Sequence, residues 1–166
     1  AFEKRQRGKF NITYKPGLVY EHLDLNLDNP ILKDIRVRRA LILGIDRGAI
    51  SKKLFADRQP VAHTSVNPLD WVYAGDIQKY PYDPIKAARL LNEAGWSVKK
   101  RGIRHNNKGE PLRLDLMTTA GNRSRELVEQ VLQSQWKQLG IDIRTRNEPA
   151  RVFFGQTVTE RKFTGL

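Results

Sequence analysis

The chain has 166 residues, 39% of them apolar, with no cysteine and a formal net charge of +12 at pH 7. That length suits one domain with a modest core, and the lack of cysteine excludes a disulfide framework or a thiolate metal site. The pI near 10.2 favours anionic partners in general, but lysine and arginine are spread through almost every segment, the pattern of a solvated surface rather than a charged tail.

Residues 10–27, "FNITYKPGLVYEHLDLNL", read as two extended pieces around a Pro16-Gly17 turn of type II. In the second piece Val19, Glu21, Leu23, Leu25 and Leu27 point one way. Tyr20, His22, Asp24, Asn26 and Asp28 point the other. That alternation predicts a strand with one face in the core and one polar face. The stretch "KDIRVRRALILGIDRGAI", 33–50, poses a choice between a phosphate-gripping basic helix and a structural one. Asp34 suits a helix cap. At 100° per residue Val37, Ala40, Leu41, Gly44 and Ile45 share one face, with Arg36, Arg38 and Arg39 on the other, so the arginines are the outer side of an amphipathic helix. Gly44 lies within the apolar face, where a missing side chain permits close approach. Asp46 caps a second helix with Ile50, Leu54 and Phe55 inward.

Residues 57–82 lack periodicity and are rich in proline, aspartate, asparagine and aromatics, which predicts a long ordered loop. Trp71, Tyr73, Tyr80 and Tyr82 are expected to pin it to the body; a base-stacking platform is the competing reading. Asp83-Pro84 opens a helix, cap then proline at the first helical position. Its buried side is Ala87, Leu90, Leu91 and Ala94, with Gly95 ending it and Trp96 packing behind. "SVKKRGIRHNNKGEP" is a basic, hairpin-like excursion and the best local candidate for an anion patch, with a solvated turn as the default. Leu112, Leu114 and Leu116 mark a strand. Asn122 or Ser124 caps a helix burying Leu127, Val128, Val131, Leu132 and Leu139, closed by Gly140 and Ile141. "IDIRTRN" is a further strand, Pro149 starts a helix through Phe153, Phe154 and Val158, and "KFTGL" begins another strand.

Strands alternating with helices imply an α/β architecture, a mixed sheet flanked by helices. The unit from 112 to 147 is expected to be a right-handed parallel crossover. No internal repeat is present. The three histidines, at 22, 63 and 105, have no ligand spacing, so no metal site is indicated. Asp24, Asn26 and Asp28 resemble the start of a calcium loop, but Asn29 and Ile35 stand where that loop needs glycine and glutamate. Phosphate-loop, dinucleotide and nucleophile-elbow motifs are missing, and no carboxylates form an acid/base couple. No cofactor, catalytic residue or enzymatic activity is therefore expected. No run reaches the roughly 18 apolar residues of a membrane helix, and "AFEKRQRGKF" lacks the apolar stretch of a signal peptide.

"YEHLDLNLDNPILKDIRVRRALILGIDRGAI" resembles the signature of family 5 extracellular solute-binding proteins, the oligopeptide- and dipeptide-binding components of ABC importers. The matching positions are Asn26, Pro30, Asp34, Arg36, Val37, Arg38, Ala40, Leu41, Asp46, Arg47 and Ile50. "YPYDPIKAARLLNEAGW", "LRLDLMTT" and "ELVEQVLQSQWKQLGIDIRTR" follow in the family's order, so the resemblance spans roughly residues 18–166. It implies one lobe of a type II periplasmic-binding-protein fold. Residues 1–166 would form a single domain, the second lobe of a two-lobed protein, cut at both ends and separated from its first lobe. The implied partners are a peptide or other small solute and the transmembrane permease, outside the cytoplasmic membrane or in the periplasm. Peptides, opines, sugars and metal chelates are cargo classes of the family. By the same resemblance, the polar strand face of Tyr20, His22, Asp24 and Asn26 is the first choice for ligand contacts, and Thr118, Thr119 and Asn122 the second. The family's acidic residue for a peptide amino group is expected beyond Leu166. A basic nucleic-acid-binding domain, resting on the net charge and the 99–108 excursion, is the alternative; a catalytic domain whose partner groups are missing is a third.

Overall fold

A computed structural model describes residues 5–6, 8–15 and 17–166. Pro16, on which the expected Pro16-Gly17 turn rests, lies outside the described residues. In chain order the elements are α1 (Pro30–Lys33), α2 (Ile35–Leu43), α3 (Arg47–Phe55), α4 (Pro84–Glu93), β1 (Val98–Lys100), β2 (Ile103–His105), β3 (Arg113–Leu116), α5 (Arg123–Gln138), β4 (Asp142–Thr145) and α6 (Ala150–Val152), which runs on into a π-helical stretch, Phe153–Val158.

Local chemistry sets the helix starts as the sequence implies at Asp34, Asp46, Asp83 and Asn122, and at Asn29 before a short helix that the sequence pattern does not predict. Asn29, Asp34, Asp46, Asp83 and Asn122 each accept a backbone N–H of the first turn through the side-chain oxygen, satisfying donors that a helix leaves orphaned. The apolar stripes then meet. α2 contributes Val37, Ala40 and Leu41, α4 contributes Ala87 and Leu91, and all are buried. From the other side α5 inserts Trp136, fully buried, whose Nε1 donates to the Leu41 carbonyl at 2.9 Å. Gly44 permits this approach: a Cβ there would fall 2.5 Å from Leu139 Cδ1 and 3.1 Å from the Ala40 carbonyl. The basic face of α2 is structural. Arg36 pairs with Asp34 and donates to the Glu93 carbonyl, and Arg38 donates to the carbonyls of Leu32 and Lys33.

β3 and β4 pair in parallel, Arg113 opposite Asp142 through Leu116 opposite Thr145, with α5 as the crossover. β1 and β2 form an antiparallel hairpin, joined to the parallel pair where the Leu112 N–H donates to the Arg104 carbonyl. The result is the mixed, helix-flanked arrangement expected. The hairpin is not the free basic excursion its composition suggests. Arg104 is only 2% exposed. Its guanidinium donates to the carbonyls of Leu139 and Trp96 and to Asn92 Oδ1, at 2.6, 2.7 and 2.5 Å. One cation of the expected anion patch thus lies inside, holding the C-terminal ends of α4 and α5.

Three local expectations fail. Residues 18–25 form no strand ladder among the described residues, and Val19 is 84% exposed. Period-2 alternation states which residues share a face, not that a second sheet exists to cover it, and here the helices and the β3–β4 pair already fill the core. Trp71 does not anchor the 57–82 loop; it is 94% exposed. The loop is held instead by Arg47, which donates to the carbonyls of Ala62 and Tyr80, and by Ser51, which donates to that of Gln59. The helix after Pro149 does run through Phe153, Phe154 and Val158 as expected, but it widens after Val152 into a π-helical stretch and leaves Phe154 exposed. The "KFTGL" segment is not a regular strand, although Leu166 bonds like one: its N–H donates to the Asp115 carbonyl and its carbonyl accepts from Met117. The backbone comes so close there that a Cβ on Gly165 would lie 2.2 Å from the Asp115 carbonyl oxygen.

Candidate functional site

The extended segment before α1 presents its polar residues as a ladder. The rings of Tyr20 and His22 stack at 4.9 Å with their planes 13° apart. His22 Nδ1 lies 3.3 Å from the Tyr20 carbonyl, and Nε2 lies 3.4 Å from Asp24 Oδ2. Two-residue spacing in an extended chain puts all three side chains on one side, and all three are exposed. The ladder therefore offers a phenol, an imidazole and a carboxylate to whatever lies above it.

Asn26, the fourth member expected on this face, is spent within the fold. Its Nδ2 donates to the Phe163 carbonyl at 2.5 Å, its Oδ1 accepts from Asp28 N–H, and its own N–H donates to the Gly165 carbonyl. Asn29 Nδ2 donates to the Thr164 carbonyl in the same way. The two amides clip the 163–166 segment against the ladder's base, which fixes where the extended segment leaves the body.

The second group lies at the end of β3. Thr118 is half-buried; its N–H donates to Asn147 Oδ1 and its carbonyl accepts from Glu148 N–H. Thr119 is buried, and its Oγ1 accepts from Arg125 Nη1 at 3.2 Å. Asn122 is the cap of α5, its Oδ1 accepting from Arg125 N–H. Beneath them Glu129, 6% exposed, accepts from Asn147 Nδ2 at 2.8 Å. Burial raises the Glu129 carboxyl above its ordinary range; the Asn147 hydrogen bond acts against that, and the charge of Glu126 adds to it. This buried relay sets the height of the Thr118–Thr119 backbone.

Arg125 brings the two groups together. Its Nε and Nη2 lie 3.3 and 3.1 Å from Glu21 Oε1 on the extended segment, while Nη1 reaches Thr119. The guanidinium also sits 5.9 Å from the Phe154 ring. Neither Arg125 nor Glu21 is a sequence candidate, and the alternation assigns Glu21 to the core face. A signal was nonetheless present. Arg125 lies in the first turn of α5, where the helix dipole disfavours a cation, so a carboxylate from elsewhere was to be expected. The site is thus an exposed aromatic–acidic ladder tethered by one arginine to a threonine loop, a surface suited to pairing polar groups along an extended ligand.

The model of the bacterial extracellular solute-binding proteins, family 5 middle, matches residues 1–164. The oligopeptide-binding protein AppA of Bacillus subtilis is 34% identical over 151 residues, 88% of this chain and 28% of that protein. Among solved structures, the oligopeptide-binding protein of Thermus thermophilus complexed with a pentapeptide superposes with a TM-score of 0.82 at 32% identity, covering 92% of this chain and 28% of the other. NikA of Brucella suis in complex with Fe(III)-EDTA reaches 0.74 at 27% identity, over 82% and 28% of the two chains. The chain therefore spans about a quarter of the length of the relatives it matches.

Proposed function

Since the chain belongs to the family 5 bacterial extracellular solute-binding proteins, we propose that it is one ligand-binding lobe of an ABC-importer binding protein for oligopeptides. Residues 1–166 act as a single domain, and the rest of the family's length supplies the opposing lobe. The ladder of Tyr20, His22 and Asp24 faces the ligand. Thr118, Thr119 and Asn122 form the second edge, and Asn26 holds the base of the ladder. Ligand capture follows from hinge closure of two rigid bodies, and the ligand drives closure only in so far as it binds the closed state better. The closed form then delivers its cargo to a membrane permease from the periplasmic or extracellular side.

The observation that carries this reading is the superposition, over nearly all of the chain, on a binding protein described with a bound pentapeptide. The exposed ladder supports it physically: a phenol, an imidazole and a carboxylate stand exposed on one side of the segment. A single wall buries little of a ligand, so the isolated chain should bind peptides poorly. Calorimetric titration of the 166-residue chain with a pentapeptide library tests this: little heat is expected, and submicromolar binding would contradict capture between two lobes.

A further inference from the structure

Between the C-terminal end of α2, residues 78–83 and the first turns of α4 lies an open cleft of about 310 Å3. Arg39, Lys79 and Lys86 line it, over a floor that includes Leu43, Leu90 and Tyr80. Its walls are fixed, because the Asp83 N–H donates to the Leu43 carbonyl at 2.8 Å. Among the described residues Asp83 is the only carboxylate on the lining, and its Oδ1 is already engaged as the α4 cap, accepting from Lys86 N–H. Among the same residues no ion pair engages Arg39, Lys79 or Lys86. A further cation stands behind the floor, where Arg47 donates to the Tyr80 carbonyl.

Three cationic residues lining one concavity raise the local potential above that of the same charges on a convex surface. A group with several acceptor oxygens relieves this best: a guanidinium can grip two oxygens at once, and the ammonium groups act as point charges beside them. The volume admits one small headgroup rather than a tract of polyanion. The apolar floor suits the carbons of a glycerol ester. We propose that this cleft holds the phosphate of an anionic phospholipid headgroup, so that the domain touches the membrane surface through Arg39, Lys79 and Lys86. No residue of the cleft belongs to the ladder or the threonine loop, so this inference stands or falls apart from the peptide reading.

The test is co-sedimentation of the chain with phosphatidylcholine vesicles carrying phosphatidylglycerol, at about 0.1 M salt, where charges are screened over roughly 10 Å. The triple variant Arg39→Gln/Lys79→Gln/Lys86→Gln should lose roughly a hundredfold in vesicle affinity, about fivefold for each cation removed. A control triple of equal charge loss, Lys99→Gln/Lys100→Gln/Lys108→Gln, sits on the hairpin past the far end of α4. That ten-residue helix is about 15 Å long, and the control should lose less than fivefold. If the first triple shifts the urea midpoint, the exposed single variants Lys79→Gln and Lys86→Gln carry the test, each with its fivefold loss. Equal losses in both triples would overturn the cleft in favour of diffuse charge. Saturable micromolar binding of inorganic phosphate or glycerol 3-phosphate without vesicle binding would overturn the lipid source. Binding of a DNA oligonucleotide as tightly as vesicles, lost in the first triple, would overturn it in favour of a polyanion.

Discussion

Replacing Arg104 is the sharpest test of how this fold is held. The side chain is 2% exposed and among the described residues has no carboxylate partner, so its charge is balanced by acceptors alone. Two of these, the carbonyls of Trp96 and Leu139, lie just past the ends of α4 and α5, where helix dipoles place partial negative charge. Burial pulls the guanidinium below the ordinary arginine value, but arginine remains protonated across the working range, so no pH dependence is expected from it. Arg104→Met keeps much of the stem and removes the charge. Two buried carbonyls are then left unpaired at about 1–3 kcal/mol each, offset in part by no longer burying a cation. The expected net loss is about 2–4 kcal/mol. Arg104→Lys should fall in the same range, because an ammonium cannot span three acceptors in the guanidinium's fork. Urea unfolding followed by circular dichroism measures this as a lower midpoint with an unchanged slope. A midpoint for Arg104→Met equal to or above that of the parent would show that the fork is not what joins the hairpin to the two helices.

Gly165→Ala places a Cβ against backbone that cannot move aside; it should release residues 163–166 and speed amide exchange at Met117 and Asn26, whose N–H groups donate to Leu166 and Gly165. Gly44→Ala meets a movable but buried Leu139, and thermal or urea unfolding should register a loss of about 1–3 kcal/mol. Glu129 has a raised folded pKa, so the folded state holds its proton to higher pH than the unfolded chain does. Stability should therefore fall as pH rises from the ordinary glutamate value through the raised one. Glu129→Gln should flatten that part of the pH–stability curve and be more stable at pH 7, by about 1 kcal/mol; an unchanged slope would mean the carboxyl is not the source. Arg125→Ala removes a pair whose glutamate is well exposed and should cost at most about 1 kcal/mol of stability, while hydrogen exchange in residues 118–122 rises.

Much of the fold was legible because it is encoded locally. Every helix with a side-chain cap starts where an aspartate or asparagine precedes an apolar stripe, and Gly95 and Gly140 end α4 and α5 with positive φ, as a left-handed cap requires. The parallel β3–β4 pair followed from a strand-helix-strand pattern. What failed were inferences that needed a distant partner. Val19 alternates as core residues do yet is 84% exposed, and Leu23 is only partly covered. Trp71 has the composition of an anchor and stands in solvent, while Arg47, read only as part of a motif, does the anchoring. Arg104 counted as surface charge in the sequence because a buried cation held by carbonyls leaves no acidic residue nearby to betray it. In the candidate site, that Tyr20, His22 and Asp24 share a side was readable from period two; their choice as ligand contacts came from the family resemblance. Its tether was not, since Arg125 and Glu21 are 104 residues apart in sequence.

For the proposed function the most direct measurement is calorimetric titration of a pentapeptide into the longer protein that would supply the opposing lobe, beside its Tyr20→Ala/His22→Ala/Asp24→Ala form. The ladder is exposed, so the unfolding midpoint should shift little while affinity falls by at least about tenfold, roughly 1.4 kcal/mol. Unaltered affinity in the folded triple variant would mean that the ligand does not lie against this wall.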